Sequence, residues 1–236
     1  MHSNILRAFF VTLLVALAEP ARSAVVLAVD FSLPGGQVEP GFQGFFVANA
    51  TNGTVTSTYG ANTVTVFAGT QAHNPTGVGG RDRANPLDAG SFTYGDLYRD
   101  LVTRFESGGP GAPPLTSFTV SGLVPNGIYS FQVFSLDYPN NNNSVGAWYD
   151  MVPASPTLIG SIINLTNTIP TSNDQFSVTG PVVADATGVV RIGSTFTAGS
   201  GQMNGFILSD AVPEPGAMAL FGIVALAAMR RTRRRI

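Results

Sequence analysis

The sequence predicts an all-β fold, a single β-sandwich set between two apolar tails. Three observations predict it. Runs rich in Val, Ile, Thr and aromatic residues recur between clusters of Gly, Pro and Asn. Several of these runs alternate with period two: Thr63-Val64-Thr65-Val66-Phe67 puts Val64 and Val66 on one face, and the pairs Phe118/Val120 and Phe131/Val133 repeat the pattern. A single stretch, Tyr94 to Phe105, has helical spacing instead.

The N-terminal tail comes first. Met1 to Arg7 carries one arginine, Ala8 to Ala18 is an eleven-residue apolar run, and Ala21-Arg22-Ser23 places small residues where a signal peptidase reads. Residues 1–23 are therefore expected to be a signal peptide, cut between Ser23 and Ala24. The apolar run is short for the alternative, an N-terminal anchor.

Residues 24–210 form the expected β-sandwich domain. Its 187 residues suffice to bury a core without metals or staples. Strands are expected near Val25–Phe31, Gly44–Ala48, Thr63–Ala68, Leu115–Val120, Tyr129–Leu136, Thr157–Ile163, Gln175–Val178, Gly188–Ile192 and Asn204–Leu208. In the helical stretch, Leu97, Tyr98, Leu101 and Phe105 share a face and Arg99, Asp100 and Arg104 oppose it. Asp96 can cap its start. Gly108 to Pro114 reads as a loop. Leu123, Pro125 and Tyr129 have the spacing of a tyrosine corner, in which proline and Asn-Gly turn the chain between sheets and the tyrosine hydroxyl bonds backbone.

Composition excludes several functions. Within 24–210, twelve acids against five arginines give a net charge of −7. Such a surface disfavours nucleic acid and anionic lipid. The chain has no lysine, and its lack of cysteine removes disulfides, thiolate nucleophiles and Cys-type zinc sites. That lack suits an oxidising compartment. The positive mean hydropathy, +0.22, owes much to the two tails.

The residues give little catalytic chemistry. His2 leaves with the signal peptide, His73 stands in a loop, and no Gly-x-Ser-x-Gly elbow is present. Two carboxylates for glycoside hydrolysis would converge only in space, so the sequence does not select a pair. Arg81-Asp82-Arg83 reads as a local ion pair holding a loop. Two features suit a carbohydrate. Trp148, the single tryptophan, and Tyr149 can stack on sugar rings if exposed, or pack in the core. Asp137, Tyr138 and Asn140, Asn141, Asn142 and Asn143 concentrate oxygen acceptors and amides that suit sugar hydroxyls, or simply form a long polar turn. No metal or other cofactor is expected; Ca²⁺ held by oxygens of that loop is the alternative weighed. Four Asn-x-Thr/Ser sequons, at Asn49, Asn52, Asn142 and Asn164, read as chance matches in an Asn/Thr-rich chain.

The C-terminal tail, residues 211–236, has three parts in order. Val212-Pro213-Glu214-Pro215 is followed by an apolar run from Gly216 to Met229, then by Arg230, Arg231, Arg233, Arg234 and Arg235. Thirteen uncharged residues from Ala217 to Met229 make a helix of ~20 Å against a hydrocarbon core of ~30 Å. This is a short transmembrane helix whose reach snorkelling arginines extend. Arginines beyond an apolar segment hold that end in the cytoplasm. The two prolines keep a helix from running smoothly upstream, so the motif stands as an extended stretch just outside the bilayer.

This tail resembles the PEP-CTERM sorting signal of Gram-negative bacteria over Val212 to Ile236. The resemblance implies export through the Sec route, processing by signal peptidase and by the membrane enzyme exosortase, and a place in exopolysaccharide or biofilm matrix. Met203 to Ser209 resembles the last strand that precedes the motif in such proteins. A second resemblance covers Val29 to Asp137. Val29-Asp30-Phe31, Val38-Glu39-Pro40-Gly41-Phe42, Arg81-Asp82-Arg83, the helical stretch and the Leu-Pro-Tyr corner are together similar to a galactose-binding-like jelly roll. Such domains accompany many polysaccharide-active enzymes. The expectation is a surface-sorted, non-enzymatic protein, structural or carbohydrate-binding in exopolysaccharide. A secreted hydrolase or esterase acting on polysaccharide is the alternative from another class, and a protein–protein adhesion module is the third reading.

Overall fold

A computed structural model describes residues 23–48, 54–67, 79–83, 88–103, 112–138, 145–166, 168–196 and 202–211. The expected signal peptide up to Arg22, His73, Asn140 to Asn143 and the sorting motif with its apolar run and arginines lie outside the described residues. The chain divides into a compact unit, Val25–Asp210, and a second unit made of Met1–Ala24 and Ala211–Ile236.

The Val25–Asp210 unit is almost entirely β. Its described strands are β1 (Val25–Ser32), β2 (Gln43–Phe46), β3 (Thr54–Tyr59), β4 (Asn62–Phe67), β5 (Gly79–Asp82), β6 (Asp100–Thr103), β7 (Leu115–Ser121), β8 (Ile128–Phe134) and β9 (Val145–Asp150). There follow β10 (Thr157–Leu158), β11 (Ile163–Asn164), β12 (Ser177–Val183), β13 (Val190–Phe196), β14 (Gln202–Met203) and β15 (Gly205–Asp210). The one described helix, α1, spans Gly95–Arg99.

Three sheets result. The first has the order β12-β8-β15-β1-β2, antiparallel except for the β1/β2 pair. The second runs β10-β9-β13-β7-β4-β3, with β11 also on β9. The third is β14-β6-β5. The period-two pattern explains why the first two share a core. Phe31, Phe131 and Phe206 leave the first sheet on one face; Phe118 and Trp148 leave the second toward them. Phe118 stacks on Phe206 with centroids 5.3 Å apart, and its edge meets Trp148 at 6.2 Å. Each of these fully buried rings contributes roughly 1.5–3 kcal/mol of transfer free energy.

The tyrosine corner forms where the sequence places it. Val124 to Gly127 turns with the Gly127 N–H on the Val124 carbonyl at 2.9 Å, and Asn126 adopts φ 58°. That left-handed position is one asparagine tolerates well. The buried Tyr129 hydroxyl accepts the Val124 N–H at 2.9 Å as the chain passes from β7 in the second sheet to β8 in the first. A buried carboxylate adds a second tie between those sheets: Asp150 of β9 accepts the Val183 N–H of β12 at 2.8 Å and the Val152 N–H at 3.0 Å.

Several expectations shift. The helix predicted over Tyr94–Phe105 stops at Arg99. Asp100 is extended at φ −102°, ψ 151°, and Asp100–Thr103 becomes β6, paired on both sides by β5 and β14. Two ladders and burial of all four residues outweigh a local helical pattern. Asp96 does not cap α1; no side chain of its own element caps it. The strand expected at Thr157–Ile163 divides into β10 and β11 around Gly160, whose φ is +63° and whose missing Cβ would come within 2.6 Å of the Thr179 carbonyl. The strand expected at Gln175–Val178 begins at Ser177 and runs on through Pro181 to Val183. Proline is tolerated there because β12 is an edge strand. Strands β3, β5, β9 and β14 were not among those expected.

Candidate functional site

Asp30 and Ser32 leave β1 on the face opposite Phe31. This outer face is covered by α1 and by residues of the third sheet rather than by water. Asp30, Ser32, Glu39, Asp100 and Asn204 are all buried. The chain approaches closely where it covers them: a Cβ on Gly36 would lie 2.0 Å from Ser32 Oγ and 2.8 Å from Asp100 Oδ2.

A chain of hydrogen bonds organises this polar layer. The Glu39 N–H donates to Asp30 Oδ2 at 2.7 Å. Glu39 Oε2 accepts the Leu97 N–H at 3.2 Å, so a residue distant in sequence supplies the cap of α1. Asp88 Oδ1 accepts the Gly95 N–H at 2.9 Å in the same way. The Ser32 hydroxyl donates to Asp100 Oδ2 at 2.6 Å. Asn204 donates from Nδ2 to the Asp100 carbonyl at 2.7 Å and accepts the Leu136 N–H at 2.6 Å. Among the described residues, Asp30 Oδ1 and Asp100 Oδ1 have no partner at hydrogen-bond geometry. Arg99 Nε lies 3.9 Å from the latter.

Burial sets the electrostatics. Loss of water pushes the Asp30 carboxyl up to about 8; the Glu39 N–H opposes the rise, and the charges of Asp100, Glu39 and Asp96 add to it. Desolvation also raises Glu39 against the Leu97 N–H, and raises Asp100 against the Ser32 hydroxyl. On the exposed rim the sign reverses: Asp82 is held low by its bonds to Arg99. The result is a closed carboxylate cluster in which burial disfavours the charged form of each acid. An open groove elsewhere, between β1 and the β3–β4 turn, is lined by Val25 to Ala28, Gly41, Gln43, Tyr59 and Gly60; none of these described residues brings a carboxylate, imidazole or guanidinium.

The sequence-selected residues fare differently. Trp148 is fully buried, so the conditional stacking platform gives way to core packing, where its ring meets Phe118 and Phe196 edge-on. An indole at an inward position of a central strand gains more from burial than from solvent. Tyr138 is half-buried and packs on the core. The local ion pair expected within Arg81-Asp82-Arg83 gives way to partners distant in sequence: Asp137 is committed to Arg83 through both carboxylate oxygens, Asp82 pairs with Arg99, and Gly79–Asp82 is strand β5 rather than a loop. Among the described residues, no three His, Asp or Glu side chains are placed to hold a metal. Ser23 is half-buried and Ala24 exposed. The Asp30–Glu39–Asp100 cluster was missed. Its only signal was an aspartate inside the apolar strand VVLAVDFS, where an unpaired charge would be costly.

Residues 211–235 match the PEP-CTERM protein-sorting motif. The match supports sorting of an exported protein at the membrane, with exosortase as the processing partner. No curated protein matches the chain. Among solved structures, a calcium-binding mutant of Bacteroides uniformis beta-glucuronidase 2 is 10% identical over 63% of this chain and 17% of its own, at a TM-score of 0.33. Bacteroides uniformis beta-glucuronidase is 11% identical over 60% and 15%, at 0.34. Beta-glucuronidase 2 from the same organism, covalently bound to cyclophellitol-6-carboxylate aziridine, is 12% identical over 63% and 17%, at 0.35. The chain spans less than a fifth of those enzymes, and so loose a likeness carries no argument about chemistry.

Proposed function

We propose that this chain is an exported, non-enzymatic protein whose β domain is a jelly-roll sandwich of galactose-binding-like type. Exosortase delivers it to the cell surface or extracellular matrix of a Gram-negative bacterium. There it acts as a structural or carbohydrate-binding part of exopolysaccharide. The observation that carries the reading is the sorting-motif match directly after the fold: β15 ends at Asp210 and the match begins at residue 211. In this reading residues 1–23 are removed by signal peptidase, 216–229 cross the membrane, and Arg230 to Arg235 stay in the cytoplasm until processing.

Mass spectrometry of the surface-exposed protein tests it. The expected form begins at Ala24 and lacks the arginine tail. Matrix-associated protein that still ends in Ile236 would overturn sorting and leave a simple anchor. A glycan array with the Ala24–Asp210 domain, assayed for both retention and product release, separates binding from the competing reading of a polysaccharide hydrolase or esterase.

A further inference from the structure

Both ends of the Val25–Asp210 unit meet at one end of the first sheet. Val25 opens β1 and pairs with Ser209; Asp210 closes β15 and pairs with Tyr129 of β8. Among the described residues, three of the seven large exposed hydrophobic side chains sit at this same end. Val25 is 61% exposed, Val124 68% and Ile128 58%. Ile128 precedes Tyr129, and the Val124 N–H is held by the Tyr129 hydroxyl. Ala24, Pro125 and Ala211 are exposed beside them. The other four exposed hydrophobics, Phe46, Leu158, Ile162 and Ile169, lie elsewhere. Among the described residues no arginine belongs to the patch; the nearby charges are Asp210 and the Asp185–Arg191 pair, 2.6 Å apart.

Chain length limits how far this end can stand from the apolar run. Five residues, 211–215, separate Asp210 from the apolar run that begins at Gly216. The six Cα-to-Cα steps from Asp210 to Gly216, fully extended, span at most ~22 Å. If the run lies in a bilayer, Asp210 cannot be farther than that from the run's first residue, and its strand neighbours Val25 and Ile128 are kept near the lipid surface with it. Exposed aliphatic side chains within such reach gain by entering the interfacial region. The nearby arginine, Arg191, is paired with Asp185, so little attraction to anionic headgroups is left and apolar contact is the driving force.

We propose that the Val25, Val124 and Ile128 end of the domain seats on the lipid surface while the tail is inserted, so that the domain is held upright on the membrane before it is processed. This rests on the membrane reading of the tail proposed above.

The chain has no cysteine, so single-cysteine variants label uniquely. Full-length Val124→Cys, Ile128→Cys, Leu158→Cys and Ala225→Cys, each carrying an environment-sensitive dye, are reconstituted in phosphatidylcholine vesicles containing nitroxide lipid. Labels at 124 and 128 are expected to shift to the blue and to be quenched several-fold more than the label at 158. Quenching at 225 without quenching at 124 and 128 overturns the seating and leaves the membrane reading intact. No quenching at 225 overturns both. Changes at 124 and 128 that appear only when exosortase is co-reconstituted overturn the lipid assignment in favour of the enzyme.

Discussion

Glu39 joins Asp30 to helix α1: its N–H donates to Asp30 Oδ2 at 2.7 Å and its carboxylate accepts the Leu97 N–H at 3.2 Å. One residue therefore ties β1, the segment leading to β2, and a helix from a different layer. Losing either contact should be felt in all three.

Asp30 should make stability pH-dependent. Its folded-state carboxyl is raised from 3.8 to about 8, so the folded protein holds a proton that the unfolded chain releases. The group's contribution is fully present below the unfolded value. It is lost as pH rises through the folded one, by at most ~1.4 kcal/mol per unit. Asp30→Asn keeps an acceptor for the Glu39 N–H and cannot ionise. Thermal unfolding from about pH 5 to about pH 9 should fall less steeply for the variant, which should melt higher than wild type at the alkaline end. Equal slopes would show that Asp30 does not retain its proton.

Glu39→Ala should strip the start of α1. The expected loss is roughly 0.5–2 kcal/mol, typical of a missing helix cap. Glu39→Gln retains a side-chain oxygen and should recover most of it. Chemical denaturation of the two variants is the check; if Gln is as destabilising as Ala, the bond to Leu97 is not what Glu39 contributes.

Tyr129→Phe keeps the ring in the core and removes only the hydroxyl. The Val124 N–H then loses its acceptor, at a cost of ~1–3 kcal/mol. The melting temperature should drop while near-ultraviolet dichroism, which reports aromatic packing, is retained. A wild-type melting temperature would mean that water replaces the hydroxyl at no cost.

Neutral replacements of Arg230, Arg231, Arg233, Arg234 and Arg235 should weaken cytoplasmic retention of the C-terminus, because basic residues orient short apolar segments. A topology reporter fused after Ile236 should then show exported signal or unprocessed protein. Unchanged topology would assign retention to the apolar run alone.

The period-two runs made the main strands legible, since an alternating Val or Phe has one inward solution in a sheet: Val64, Val66, Phe118 and Phe131 are all buried. The corner was legible too, because proline, an Asn-Gly pair and a tyrosine each carry a local constraint. What stayed hidden depended on partners far along the chain. Asp100 to Thr103 is a strand because β5 and β14 flank it, and neither is adjacent in sequence. The carboxylate cluster joins positions 30, 39 and 100 through a backbone N–H, a serine hydroxyl and a close glycine, none of which leaves a pattern in composition. Trp148 was undecided for the complementary reason. An aromatic residue suits a core and a sugar platform equally well, and its place in β9 decides between them.

The position of β15 bears on when this protein can fold. It is the last strand of the unit to be made, yet it lies in the middle of the first sheet, between β8 and β1. Until Gly205 to Asp210 arrives, β12-β8 and β1-β2 are two separate ribbons with open edges. A chain terminated early in synthesis therefore cannot close its sheet and would meet proteases with its strands exposed. The segment that completes the fold and the one matched as the sorting motif emerge within a few residues of each other, so release of a truncated product also withholds its address.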